Sequence, residues 1–524
     1  MFAERRLRGE ALVTLSVALA LGHMLILLNA SAYAPMEIQV ASSLGKVTSY
    51  ATWSQTDYMI GMALGLPLAG FFGKRFGPRH PLMCAYLLFA VAATACALSP
   101  TIYCLVVARF CLGLAGGVTL PLSQALFLAE YPERRKALAL TLWSFCTLGP
   151  AGLGPMLGGW LADEPGWRWM FYADIPLALF CAGTLWALLY GRRAVIGERA
   201  FDLPGAALLF LTVISLQALL NMGTDWDWFD APLIAALAAV GGGAAVMFCL
   251  WEWREPEPFV ALRCFADRNF AVGAGCLIAG FFCIQGLLTF FVVQLQSSMG
   301  YTAFLAGLYY LPMFVFAKPL ANASHHLAQA FDARKLATVG LLGFTVAYWW
   351  IAGFDRKAAF QDTWWPKLLE GAALGAFFVP LTVIAIARIP RALQPRAVEL
   401  ANTLRLWAGA MGIPAQTAIW YHHQWLHRAR IGEGLGPFDP NTAELLGGIV
   451  GQGYGEQAAQ AKISQWITQQ ASIQAIDDCF RIAGAVFLVL AGLVWLAHPT
   501  HLPSAPRPAE EQREVALEEA AEDL

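Results

Sequence analysis

The sequence predicts an all-α integral membrane protein with fourteen transmembrane helices and both termini in the cytoplasm. Of 524 residues, 58% are hydrophobic and only 13% charged, and the mean hydropathy is +0.55. This composition excludes a string of soluble domains. Apolar stretches of about twenty residues recur along the chain, the length of a helical span, whereas a transmembrane barrel shows alternating segments of about ten. Lys and Arg gather in alternate loops, as the positive-inside rule requires of one orientation.

The spans, bounded by charges or by Pro/Gly turns, begin near residues 11, 52, 81, 103, 138, 172, 204, 231, 270, 302, 336, 366, 396 and 479. Arg5, Arg6 and Arg8 precede the first run. No small-residue cleavage site follows them, so this run is read as a retained helix and not as a signal peptide. Lys74, Arg75 and Arg79 follow the second span, Arg134, Arg135 and Lys136 the fourth, and Arg192, Arg193 and Arg199 the sixth. An even span number then places both ends on the cytoplasmic side. Two segments are too polar to span. His422 to Asp478 lies outside between the last two helices, with Pro437-Phe438-Asp439-Pro440 and a Gln/Ala-rich stretch suited to a short amphipathic helix. The tail after Pro499, rich in Glu and Ala, reads as disordered.

Several function classes fall away. The net charge of -2 offers no polyanion-binding surface, so nucleic acid is not an expected partner. No Walker A motif is present, which argues against direct ATP drive. No recurring nucleophile, base and metal constellation points to an enzyme, and no cofactor is expected. Nine of the eleven cysteines lie in apolar stretches without any CxxC pair and read as small buried hydrophobes. His423 and His427 share the i, i+4 spacing that can bind a metal, but with no nearby Cys or catalytic Glu the sequence gives no metal site.

Three stretches stand out. The turn Gly70-Phe71-Phe72-Gly73-Lys74-Arg75-Phe76-Gly77-Pro78-Arg79 reads equally as a positive-inside anchor or as a latch between two helices. Arg109 lies deep in the fourth span, ahead of Gly113, Gly116, Gly117 and Pro121. So costly a charge must face a protein cavity and find a carboxylate or ligand partner, as a structural pair or in a coupling role. The fifth span holds Gly149-Pro150, Gly154-Pro155 and Gly158-Gly159, which predicts a kinked, closely packed helix that either gates or simply packs well.

In this order and spacing, these stretches resemble the major facilitator superfamily, in its fourteen-helix drug:proton antiporter branch of the EmrB/QacA type. Gly70 to Arg79 looks like the loop signature after helix 2, Leu105 to Gly117 like the helix 4 signature, and Gly149 to Gly159 like the antiporter signature of helix 5. Trp167 to Phe171, Phe201 to Gly205, and Asn402 with Arg405 ahead of Gly409 and Gly412 add to the likeness. Pro437 to Pro440 and Trp466 to Gln470 resemble the EmrB-like subgroup.

The resemblance implies a major facilitator fold: a six-helix bundle over 11–200, two additional helices in 201–256, and a second bundle over 257–498 that includes the outer loop 422–478. Residues 1–10 and 499–524 are then cytoplasmic. It also implies a multi-pass protein of the inner membrane that exports small amphipathic compounds (multidrug efflux) by proton antiport and alternating access. A periplasmic adaptor and an outer-membrane channel are the implied partners. The gating residues carried over are Gly70, Lys74, Arg75, Gly77, Arg79, Gly154, Pro155, Gly158 and Gly159.

Members of this branch usually carry an aspartate in helix 1, but Leu21 to Pro35, LGHMLILLNASAYAP, contains no carboxylate. The candidates for moving a proton are therefore Asp57, Asp174, Glu370 and Glu399 with the cations Arg109 and Arg405, and the leading pair is Asp57 with Arg109. Glu399 and Arg405 also read as a structural pair. Candidates for lining a substrate cavity are His23, Asn29, Gln124, Lys318, Phe281 and Phe377. His23 and Lys318 also have plainer readings, as a packing histidine and a snorkelling lysine. The missing helix 1 acid keeps two alternatives open, an uncoupled or dedicated siderophore or organic-acid exporter, and a membrane sensor that no longer transports.

Overall fold

The computed structural model describes residues 7–132, 135–191, 201–354, 364–434 and 440–500. Arg5, Arg6, Arg134, Arg192, Arg193, Arg199, Pro437 to Asp439 and the tail after Thr500 lie outside the described residues.

The chain begins with α1 (Glu10–Ala32), the short connecting helix α2 (Glu37–Ser43), α3 (Thr48–Phe76), α4 (Arg79–Ala97), α5 (Ile102–Glu130), α6 (Lys136–Asp163) and α7 (Arg168–Leu189). Next come α8 (Leu203–Gly223) and α9 (Pro232–Arg254). The remainder is α10 (Arg268–Ser297), α11 (Ala303–Leu308), α12 (Leu311–Ala330), α13 (Ala333–Ile351), α14 (Trp364–Ile386), α15 (Gln394–Glu433), α16 (Pro440–Gly451) and α17 (Glu456–Leu493).

Among the described residues, ten spans are long and apolar enough to cross a membrane: α1, α4, α5, α7, α8, α9, α10, α11 with α12, α14 and α17. Four further long helices, α3, α6, α13 and α15, run among them. Two of these owe their polarity to identifiable segments. α3 carries Ser54, Gln55, Thr56 and Asp57 in succession, and α15 runs on into the polar segment that begins at His422.

Packing sorts the helices. α1, α3, α4, α5, α6 and α7 pack on one another, with α5 held between α3 and α4. α10, α12, α13, α14, α15 and α17 form a second group around an aromatic core in which Phe344 stacks on Phe487 at 4.6 Å. The groups meet along two seams, α3 on α15 and α6 on α11 and α12. α8 and α9 pair with each other, and α8 also touches α3 and α15. Val240, Val246, Met247, Leu250 and Trp253 of α9 remain exposed, an apolar face suited to lipid.

Two expectations need correction. The polar stretch 422–478, read as an outer loop with one short amphipathic helix, is helical over most of its described residues. α15 continues to Glu433 and α17 starts at Glu456, so the Gln/Ala-rich stretch is the opening of a long helix instead of a short separate one. Ala and Gln are good helix formers, so a helix anchored in its apolar part propagates outward through them. Cys84, Cys104 and Cys249 are exposed on the outer surface, not buried.

Candidate functional site

Glycine places the buried arginine. A Cβ on Gly113 would collide with the Tyr58 carbonyl, and one on Gly117 with that of Met62. With hydrogen in its place, the α5 backbone rests directly on α3, as small residues allow between membrane helices. Arg109, one turn before Gly113, therefore points into the first group with no exposed surface.

Its guanidinium is fully engaged by neutral groups. Nη2 donates to Gln55 Oε1 at 2.7 Å, Nε to the Ser54 carbonyl at 3.3 Å, and Nη1 to Asn29 Oδ1 at 3.4 Å. The rings of Tyr33 and Tyr58 flank it, with centroids 4.1 and 4.4 Å away, an arrangement that stabilises a desolvated cation. Tyr58 is fixed in turn by donating its hydroxyl to the Ile26 carbonyl at 2.7 Å, and Gln55 by donating to Ala30 at 2.6 Å.

A carboxylate reaches this cation through one amide. Asn29 Nδ2 donates to Asp174 Oδ2 at 2.9 Å while its Oδ1 accepts from Arg109. Asp174, in the second turn of α7, is 3% exposed. Asn29, Arg109 and Asp174 from the sequence candidates thus form one cluster built from α1, α5 and α7. Asp57 is not part of it. Ser54, Gln55 and Tyr58 are the α3 residues that face Arg109, and among the described residues no hydrogen bond or ion pair joins Asp57 to it.

The second group has its own charged centre. Lys367 Nζ donates to Glu370 Oε2 at 2.6 Å, and both residues are almost wholly buried. Tyr348 donates to Glu370 Oε1 at 3.4 Å, and the Tyr310 ring lies 4.3 Å from the ammonium. Among the described residues no ion pair is found between Glu399 and Arg405. The Arg405 guanidinium lies over Phe281 and Phe378, at 4.4 and 4.9 Å, and its Nε has no hydrogen-bond partner among the described residues. The Glu399 carboxylate occupies the space beside Gly70, where an added Cβ would stand 2.6 Å from Oε2. This contact links the basic turn of α3 to α15 across the first seam.

The other candidates disperse. His23 Nε2 lies 3.2 Å from Thr147 Oγ1, with its ring against Trp143 at 4.4 Å. Lys318 Nζ lies against the Phe145 ring and is buried without a hydrogen-bond partner among the described residues. Gln124 is exposed. Phe377 is fully buried between Phe344 and Phe487, a packing position in the second group's core, not a place on a cavity wall.

Of the residues expected to gate, Gly70 lies on the first seam and Pro155 and Gly159 on the second. A Cβ on Gly158 would strike the Ala32 carbonyl and one on Gly159 that of Ala303, while the Pro155 carbonyl fills the space beside Gly307. The signature of α6 is thus wedged between α1 and α11. Pro150 and Pro155 lie inside an unbroken α6, and the Pro150 carbonyl accepts from Ser31 at 2.9 Å. Gly77 ends α3 with φ +73, a conformation that favours glycine. Lys74 and Arg75 are exposed on the last turn of α3, and Arg79 is buried at the start of α4 with its guanidinium 5.5 Å from the Tyr190 ring.

Sequence reasoning missed Gln55, Lys367 and Glu37. The K-x-x-E spacing of Lys367 and Glu370 was a readable signal. Glu37, on α2, is fully buried and accepts from Thr52 Oγ1 at 2.6 Å, while Oε1 has no hydrogen-bond partner among the described residues. Burial raises its carboxyl to about 8, against the pull of the Thr52 hydrogen bond and the Arg109 charge.

A family model described as Major Facilitator Superfamily matches residues 19–413. The chain belongs to that superfamily. Multidrug export protein EmrB of Escherichia coli (strain K12) is 32% identical over 500 residues, covering 95% of this chain and 98% of that protein. Fatty acid resistance protein FarB of Neisseria gonorrhoeae is 31% identical, with 94% and 97% covered. Among solved structures, the peptide transporter POT in complex with sulfate gives a TM-score of 0.61 at 15% identity, over 94% of this chain and 98% of that one. A D-xylose-proton symporter gives 0.53 at 16%, over 77% and 89%. At such identities the likeness is one of fold. As a major facilitator the protein is a multi-pass membrane transporter and not an enzyme.

Proposed function

We propose that this transporter exports small amphipathic compounds across the inner membrane by proton antiport. Two six-helix bundles, 11–200 and 257–498, rock about a central path, with 201–256 as two additional helices in a fourteen-span arrangement whose termini are cytoplasmic. The reading draws on the likeness to EmrB, a multidrug export protein. The observation that carries the coupling step is the Asp174–Asn29–Arg109 connection. Desolvation disfavours a charged carboxylate and a nearby cation favours it, so small changes in hydration shift such a group between its two forms. Asn29 transmits the change: its amide donates to Asp174 and its carbonyl accepts from Arg109, so loss of the proton from Asp174 strengthens both bonds. Asp174 thereby takes over the task of the acid missing from α1. A periplasmic adaptor and an outer-membrane channel complete the pump in this reading.

A second reading concerns substrate. The Lys318 ammonium, on the α6–α12 seam against the Phe145 ring, has no hydrogen-bond partner among the described residues, and FarB is named a fatty acid resistance protein. Both favour amphiphiles that bear a carboxylate. The test is uptake into proteoliposomes with an acidic lumen, using a fluorescent cationic dye and a medium-chain fatty acid as alternative cargoes. Coupled export predicts that cargo accumulates and that a protonophore abolishes the accumulation. Accumulation unchanged by the protonophore contradicts it.

A further inference from the structure

The last third of α15 and the middle of α17 hold a cluster that the transport reading does not use. At 40 residues, α15 is about 60 Å long, twice the roughly 30 Å of a hydrocarbon core. α17 has 38 residues. Two histidines one turn apart on α15 turn toward a single carboxylate on α17. His423 Nδ1 lies 2.8 Å from Asp478 Oδ2, and His427 Nε2 lies 2.7 Å from the same oxygen. All three atoms fall within 4.8 Å of one another.

We propose that His423, His427 and Asp478 form a divalent transition-metal site, of the kind that takes Zn2+, which clamps α15 to α17 beyond the membrane. The donor set is two imidazoles and one carboxylate, the nitrogen and oxygen ligands that zinc prefers, with a fourth position left to water. Zinc ligands stand about 2.0–2.1 Å from the ion, so tetrahedral ligands lie roughly 3.3 Å apart. The imidazoles therefore need to retreat from Asp478 by about half an ångström, and ligand atoms set up to 4.8 Å apart need to close toward the same spacing. The scaffold on either side is already tied, because Trp420 Nε1 donates to the Ser472 carbonyl at 3.1 Å between the same two helices. The side chains are 29%, 18% and 20% exposed, so an ion has a route in from solvent. Arg481 donates to the other Asp478 oxygen at 3.2 Å and to the Ala352 carbonyl at 3.4 Å. It leaves Oδ2 free for the ion, while its positive charge opposes binding.

The sequence reading gave no metal here because the i, i+4 histidines had no third ligand in view, and Asp478 lies 51 residues beyond His427. The clamp is independent of the coupling residues, so it stands or falls apart from the transport reading.

The test uses the full-length, tag-free protein in detergent, stripped with a chelator and titrated with Zn2+ against a fluorescent zinc indicator. The expected result is one tight ion per chain at micromolar concentration, with Co2+ giving the visible absorption of a four-coordinate site. The double variant His423→Ala/His427→Ala weakens binding by roughly a hundredfold or more, at or beyond the top of the range seen when a metal's supporting residues are removed. His427→Cys retains binding because a thiolate replaces the imidazole, Arg481→Gln tightens it, and His422→Ala leaves it unchanged. Failure of the native protein to bind one Zn2+ per chain overturns the proposal, and so does undiminished binding by a double variant that elutes and melts as the native protein does.

Discussion

The side-chain amide of Asn29 donates a 2.9 Å hydrogen bond to the carboxylate of Asp174 across 145 residues of chain. The same amide accepts from Arg109, so an acid and a base on α7 and α5 communicate through one neutral group on α1. Without Asn29 the carboxylate loses its only hydrogen-bond donor among the described side chains.

Arg109→Lys keeps the charge but not the fork that reaches Gln55, Ser54 and Asn29 at once. Proton-driven transport in proteoliposomes should fall at least about tenfold, since one lost charge-assisted hydrogen bond is worth roughly 1.5–3 kcal/mol. Transport at the native rate would show that charge alone suffices.

Lys367 and Glu370 are a buried pair, so neutralising one strands the other. Either Lys367→Met or Glu370→Gln should destabilise the folded protein by about 3–5 kcal/mol, and the double change Lys367→Met/Glu370→Leu should recover most of that loss. Thermal melting in detergent measures all three. Recovery of stability without recovery of transport would give the pair a part in coupling as well.

Gly158 faces the Ala32 carbonyl with no room for a side chain. Gly158→Val should separate α6 from α1, lower the melting temperature and abolish transport, whereas Gly149→Ala, where nothing lies within 4 Å of an added Cβ, should be mild. Comparable melting of the two variants would contradict the close seam.

Glu37 gives a pH dependence of definite sign. Its carboxyl is raised by burial from 4.5 to about 8, so the native state holds a proton that the unfolded chain releases. The stability tied to that proton is complete below about pH 4.5 and is lost as pH rises through about 8. Melting temperature should therefore fall over that interval in the native protein, and less steeply in Glu37→Gln. Parallel pH profiles would remove Glu37 as the cause.

Much of this was legible in the sequence because steric and dielectric rules act locally. Glycines at Gly113, Gly117 and Gly158 mark backbones in contact, and Arg109 announces a polar interior. Asp174 was legible as an acid in an unusual place, but its partner was not, since the pairing of α1 with α7 is a property of the packed bundle. Asp57 does not meet Arg109 among the described residues, because depth along a helix says nothing about which face a residue takes. The residues of α3 that turn toward Arg109 are its neighbours Ser54, Gln55 and Tyr58. The long ends of α15 and α17 escaped because hydropathy detects where a helix is apolar, not where it stops.

The most direct test of the central claim is substrate-triggered proton release from the purified protein, read with a pH indicator in weakly buffered detergent solution. The native protein and Asp57→Asn should release protons when substrate is added, and Asp174→Asn should release none while still binding substrate. Undiminished release from Asp174→Asn would contradict the account.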